Sequence, residues 1–266
     1  MNGLLMSKAT VLKRKQELLG KEFDTNHYGK CVIVEYEGAF EVTVKFVGYD
    51  NLVKCTLGWL KLGGVANPMH PSVYGVGYMG IGAFTSRDKR LYSLWSTMLK
   101  RVYCPKYHKT QPAYKGTSVC EEWWDFQNFA KWCMNQIHFN SKDERGKSYQ
   151  LDKDLLAKGD RAYSPDTCCF IPQEINSSII VHYSDVSKAK VVGIFKHKVT
   201  KRYRVFSSVV GGSRVHIGYF KTQEEAIEVY KRSKITHNKA LAEKWKGKID
   251  DVAYIALLNR KIEVLY

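Results

Sequence analysis

The stretch YQLDKDLLAKGDRAYSPDTCCFIPQEIN, Tyr149 to Asn176, crowds more chemistry into a short span than any other part of the chain. Asp152 and Asp154 flank Lys153. A turn-rich loop follows through Lys158-Gly159-Asp160 and Ser164-Pro165-Asp166, then an apolar run, Cys168-Cys169-Phe170-Ile171, and a Pro172-Gln173-Glu174 helix start carrying Asn176. The pattern reads strand, loop, strand, helix. If these elements fold back on one another, Asp152 and Asn176 meet across the motif. A carboxylate and an amide oxygen are hard donors suited to Mg²⁺ or Mn²⁺. The same residues have a plainer reading, in which Asp152 and Asp154 are solvated turn residues and Asn176 is a helix-end hydrogen bonder.

Working outward, 266 residues with 44% hydrophobic and 13% aromatic side chains suffice for about two domains, or three small ones, with ordinary cores. Lys and Arg number 42 against 26 Asp and Glu, a formal charge of +16 with a pI near 9.4. That excess points to a polyanionic partner, nucleic acid before an anionic membrane surface. The seven cysteines are irregularly spaced without a C-x-x-C pair, which fits reduced thiols in a cytoplasmic compartment. Cys104 with His108, and Cys120 with Cys133, lack a second half-site of zinc spacing. The first residues carry no secretory signal pattern. Asn67 to Phe84 is free of Asp, Glu, Lys and Arg but is broken by two prolines and four glycines, so no membrane span is expected.

Upstream, Ser7 to Leu19 predicts a short helix. From Lys30 the period changes to two, and CVIVEY, EVTVKF and LVKCTL predict a small antiparallel sheet or barrel, best read as a structural or protein-docking module. Gly75, Gly77 and Gly80 spell a formal G-x-G-x-x-G, but no helix opens directly after it, so the segment reads as a flexible connection or a loop where backbones approach closely. Ser86 is expected to cap a helix through Tyr103, and Thr117 or Ser118 a second one through Ile137. The aromatic residues of that second helix (Trp123, Trp124, Phe126, Phe129, Trp132) read as core rather than as a base-stacking platform.

Downstream, residues 187–266 hold 18 Lys and Arg against 7 Asp and Glu, leaving +11 of the total in under a third of the chain. VVGIFKH, RYRVFSSV and RVHIGYF predict a three-stranded antiparallel meander, and Thr222-Gln223-Glu224-Glu225 a capping box opening an amphipathic helix. Lys196, Lys198, Arg202, Arg204, Arg214 and His216 alternate along these strands and are expected to share one face. Such a face suits the major groove, where Arg and Lys reach guanine edges and phosphates; the other reading is an ordinary solvated face.

Two resemblances follow from these residues. Val192-Gly193-Ile194, Arg202-Tyr203-Arg204-Val205, His216-Ile217-Gly218-Tyr219-Phe220 and Thr222-Gln223-Glu224-Glu225-Ala226 resemble the Apetala-type (ethylene-response-factor) DNA-binding domain over roughly sixty residues. The resemblance implies that Lys196, Arg202, Arg204 and Arg214 contact DNA. The middle of the chain, through Trp95-x-x-Met98, Val119-Cys120-Glu121-Glu122-Trp123, Leu151-Asp152-Lys153-Asp154, Tyr163-Ser164-Pro165 and Ile175-Asn176, is similar to HNH-type homing-endonuclease relatives encoded by phages. That likeness implies a metal held by Asp152 and Asn176, with Lys153 standing where the family has its general-base histidine. Lys153 beside two aspartates suits charge stabilisation, and Asp154, His138 and His182 are the remaining candidates for the chemistry.

The expected architecture is therefore α+β: an N-terminal β-rich module over residues 1–72, an HNH-like ββα-metal domain over 86–184, and an Apetala-type sheet-plus-helix domain over 188–266. The expected activity is metal-dependent cleavage of DNA by a homing-type endonuclease, a hydrolase of phosphodiester bonds. The alternative is a catalytically degenerate DNA-binding protein that regulates or interferes with another DNA-acting machine. Double-stranded DNA is the expected partner, with no membrane, a possible protein partner at the N-terminal module, and a cytoplasmic location, that of the host if the chain is phage-encoded.

Overall fold

The computed structural model describes residues 8–157, 161–179, 193–208, 210 and 213–262. Its order of elements is α+β, with an antiparallel sheet near each end. The chain groups into two compact units, residues 1–103 with 124–127, and residues 104–123 with 128–266.

In the first unit, helix α1 (Lys8–Leu18) precedes strands β1 (Glu22–Asp24), β2 (Lys30–Gly38), β3 (Glu41–Phe46) and β4 (Leu52–Cys55). They form one four-stranded sheet in the order β1-β2-β3-β4, every pair antiparallel, which answers the open choice between sheet and barrel. Period-two alternation seals one side: Cys31, Ile33, Tyr36, Val42, Val44 and Phe46 are buried with Leu57 and Leu60 of α2 (Leu57–Lys61). Helix α3 spans Lys89–Tyr103, three residues later than the Ser86 start expected. Asp88 takes over the N-terminus because its carboxylate accepts from the Thr85 N–H at 2.7 Å while its carbonyl receives the first helical bond from Tyr92.

The glycine segment is the close-approach loop. A Cβ on Gly77 would lie 2.3 Å from Leu99 Cδ1, and one on Gly80 would lie 2.0 Å from the Asp125 carboxylate.

The single helix expected from Thr117 is broken into pieces. After α4 (Pro105–Thr110), residues Ser118–Val119 are strand β5, Glu121–Trp124 make a 3₁₀ turn, and helix α5 covers only Phe126–Asn135. Parallel pairing of β5 with β7 (Ala162–Tyr163) takes the first residues out of the helix, and Asp125 restarts it by accepting from the Gln127 N–H at 2.8 Å. The aromatic residues are core as expected. The Trp123 ring meets Phe129 edge to face at 5.2 Å between centroids and Trp132 at a tilt at 4.6 Å, and Trp132 reaches Phe170.

Strand β6 (Gln150–Asp152) pairs antiparallel with β8 (Cys169–Ile171), and α6 (Gln173–Ile179) follows at once. Strands β9 (Ile194–Lys196), β10 (Tyr203–Ser208) and β11 (Arg214–Phe220) then form the expected meander, ordered β11-β10-β9. Helix α7 (Gln223–Trp245) runs well past Tyr230, and α8 (Asp251–Leu258) folds back on it. The capping box is complete: Thr222 Oγ1 accepts from the Glu225 N–H, and the Glu225 carboxylate accepts from the Thr222 N–H. The first half of α7 covers one face of the sheet, burying Ala226 and Ile227 against Ile194 and Val205. Its second half holds the β6–β8–α6 motif, where Lys244 and the Trp245 indole both donate to Glu174, at 2.6 and 3.0 Å. Among the described residues no helix is long and apolar enough to cross a membrane.

Candidate functional site

The strand–loop–strand–helix return brings Asp152, Lys153, Asp154 and Asn176 into one motif. Alternation along β6 puts Gln150 on the same side as Asp152, and Asn176 reaches across from α6 to donate its amide to Gln150 Oε1 at 2.6 Å. Asp152 is only 4% exposed. Its Oδ2 accepts from the backbone N–H groups of Asp154 and Leu155 at 2.9 and 2.7 Å, the turn-capping role of the plainer reading carried out in the interior rather than in solvent. Burial raises its carboxyl to about 6; the two N–H bonds and the charge of Arg260 pull the other way.

Lys153 is 8% exposed, donates to Asp154 Oδ1 at 2.5 Å and lies over the Tyr163 ring. An amine engaged as the cation of an ion pair does not offer the free lone pair that a general base needs. His138 lies elsewhere in its own network at the start of β6. It stacks on Tyr149, shares a hydrogen bond with Ser141 Oγ and sits 3.8 Å from Asp250 Oδ1. His182 is outside the described residues.

Sequence reasoning missed Arg260. Its guanidinium donates to the carbonyls of Asp154 and Ile179, at 2.9 and 3.3 Å, tying the loop after β6 to the end of α6. No local pattern near Arg260 points to a partner more than a hundred residues upstream. Gln150 was findable, because it stands two positions from Asp152 on a strand.

As a divalent-metal site this donor set fits poorly. It has one buried carboxylate, with an oxygen committed to two N–H groups, and the positive charges of Lys153 and Arg260 close by. Adding a dication there sets like charge against like. Among the described residues no three His, Cys, Asp or Glu side chains converge as a cation site. A cleft of about 370 Å³ between α6, the turn at 143–147 and the second half of α7 is lined by groups that mostly neutralise each other, Glu174 with Lys244 and Glu144 with Lys244 and Lys248.

The sheet face away from α7 is different in kind. Register places Phe195 opposite Arg204, Arg204 opposite Tyr219, Phe206 opposite His216, and Ser208 opposite Arg214. A bulge at Ile217 shifts the register between Val205 and Phe206, and that single extra residue turns His216 and Arg214 onto the same side as Arg204 and Tyr219. The six cationic residues expected to share one face therefore divide. Arg204, Arg214 and His216 occupy the open face. Lys196 pairs with Tyr203 on the α7 side and rests over that ring at 5.3 Å, because it is one residue out of phase with Phe195. Lys198 and Arg202 belong to the hairpin that joins β9 to β10, closed by the bond from His197 N–H to the Arg202 carbonyl. The resemblance implies aromatic contacts from this sheet without singling out positions, and Phe195, Phe206 and Tyr219 stand in the same alternation that drew attention to the arginines.

Gly193, at φ +91°, lets the chain enter this sheet. A Cβ there would lie 2.7 Å from both the Phe206 carbonyl and the Tyr230 ring.

No family model, no curated protein and no solved structure matches the chain.

Proposed function

We propose that the chain is a DNA-binding protein that holds nucleic acid on the open face of its C-terminal sheet and leaves the phosphodiester backbone intact. The observation that carries this reading is that face itself. Arg204, Arg214 and His216 stand on the side that α7 leaves uncovered, with Lys198, Lys201 and Arg202 in the adjoining hairpin. The local excess of +11 supplies the field that attracts a polyanion. The resemblance to Apetala-type domains points the same way. The pairing of Lys153 with Asp154, where a base is wanted, supports binding without cleavage.

A second reading, the homing-type endonuclease, is favoured by one observation: Asp152 and Asn176 flank Gln150 on one side of the motif, in the order that HNH relatives use. Gel retardation with DNA at rising salt, run beside incubation of supercoiled plasmid with Mg²⁺ or Mn²⁺, separates the two. Binding that weakens steeply with salt, together with uncut plasmid, is expected. Cutting that disappears in Asp152→Ala would replace the first reading by the second, and absence of retardation even at low salt would remove both.

A further inference from the structure

We infer that the open face of the C-terminal sheet takes unpaired DNA, with bases stacked on its rings, in preference to a duplex groove. This rests on the DNA-binding reading above and narrows it. The rings form a connected run across all three strands. Phe195 on β9 lies 6.0 Å from Phe206 on β10, edge to face; Phe206 lies 5.4 Å from His216 on β11, and His216 lies 5.0 Å from Tyr219. His197, at the hairpin, continues it 6.3 Å beyond Tyr219.

These rings are not a core. Phe195 is 51% exposed and Tyr219 is 46% exposed, while Phe126 and Phe129 of α5 and Phe170 of β8 are almost wholly covered. Several flat rings left half in water on one sheet face make a surface that pays off only when something planar covers it, and every nucleobase offers such a plane.

The arginine geometry argues against groove reading. A residue that reads a guanine edge extends its guanidinium away from the protein to make two parallel hydrogen bonds. Arg204 instead lies against the rings, its Cζ 4.3 Å from the Phe206 centroid and 5.9 Å from that of Tyr219. Its Nε is buried without a hydrogen-bond partner. Held this way, the guanidinium extends the stacking surface and presents charge to a passing phosphate.

The remaining cations lie at the ends of the run. The hairpin with Lys198, Lys201 and Arg202 adjoins the Tyr203 end of β10, and Arg214 pairs with Ser208 at the other end. Rings in the middle and cations at both ends suit a single strand that crosses the sheet, its bases inward and its phosphates at the margins.

The test measures binding of the full chain to a short fluorescent oligothymidine, to a mixed-sequence single strand and to the duplex of that sequence, all at about 50 mM salt. Single strands should bind at least about tenfold more tightly than the duplex. An oligonucleotide carrying 5-bromouracil should photocrosslink to the peptides that contain Phe206, His216 or Tyr219. The double variant Phe195→Leu, Tyr219→Leu keeps apolar bulk at two exposed positions but removes the flat faces. It should lose about tenfold or more in single-strand affinity while its circular dichroism stays unchanged. Duplex binding equal to or tighter than single-strand binding overturns the inference and leaves the DNA-binding reading standing. So does unaltered single-strand affinity in the double variant. If none of the three DNAs binds, the DNA-binding reading falls and takes the inference with it.

Discussion

Lys153 and Arg204 are cations of the same compact unit in opposite circumstances. Lys153 is nearly buried and its charge is directed at Asp154. Arg204 lies on rings at the outer side of a sheet, and among the described residues it faces no acidic partner. The β6–β8–α6 motif uses its ionisable groups to hold itself together, whereas the sheet leaves its own turned toward solvent. Chemistry-bearing residue types thus mean different things by setting: internal pairing makes them structural, and an uncovered face makes them available.

The contrast can be broken or sharpened by mutation, and the largest effect is expected in the core. Phe170→Ala removes a ring that is 1% exposed and packed on Trp132 and Phe139, and should cost about 3–5 kcal/mol in denaturant unfolding. Phe195→Ala on the open face should change stability by less than about 1 kcal/mol. Equal losses would mean that the outer rings are a second core.

Asp152 comes next. Its carboxyl is raised to about 6 in the folded chain, above the unfolded value, so the folded state holds the extra proton between about pH 4 and 6. The Asp152 contribution to stability is therefore greatest below that window, falls as pH rises through it and is level above, by about 3 kcal/mol in total. Asp152→Asn keeps an oxygen for the two N–H groups, and it should flatten this slope and unfold at a higher temperature than the parent at pH 7. A parent whose stability rises from pH 4 to 6 more steeply than the variant's would reverse the assignment.

Arg260→Ala removes the tie between the Asp154 and Ile179 carbonyls and should lower stability by about 1.5–3 kcal/mol. Local hydrogen exchange should quicken in α6 before it does in the sheet. Thr222→Ala takes away one half of the capping box, and a loss of about 1 kcal/mol is expected by thermal unfolding.

Much of this was legible in local pattern. The alternation in CVIVEY and EVTVKF announced the first sheet, Thr222 and Glu225 announced α7, and the order apolar run, proline, helix start announced the β6–β8–α6 return. Helix limits were less so. Asp88 and Asp125 displaced the expected caps through side-chain bonds that depend on the loop in front of them, and β5 exists only because a strand more than forty residues later lies beside it.

The site was legible in membership and not in meaning. Asp152 and Asn176 do belong to one motif, but the partners that fix their roles, Gln150 and Arg260, come from alternation and from a distant segment. On the sheet, strict alternation misplaced Lys196 relative to Arg204, and no residue type signals the bulge at Ile217 that restores His216 and Arg214 to the open face.

Helix α7 holds the sheet near Ala226 and the β6–β8–α6 motif near Trp245. At about 1.5 Å per residue the 19 residue steps from Ala226 to Trp245 (245 − 226) span about 28 Å. The spacing of the two attachment points along α7 is therefore a number of residues in one helix. Inserting a single residue between the two attachment points would lengthen the span by about 1.5 Å and swing one site about 100° around the other, so α7 works as a ruler whose graduations set both reach and bearing.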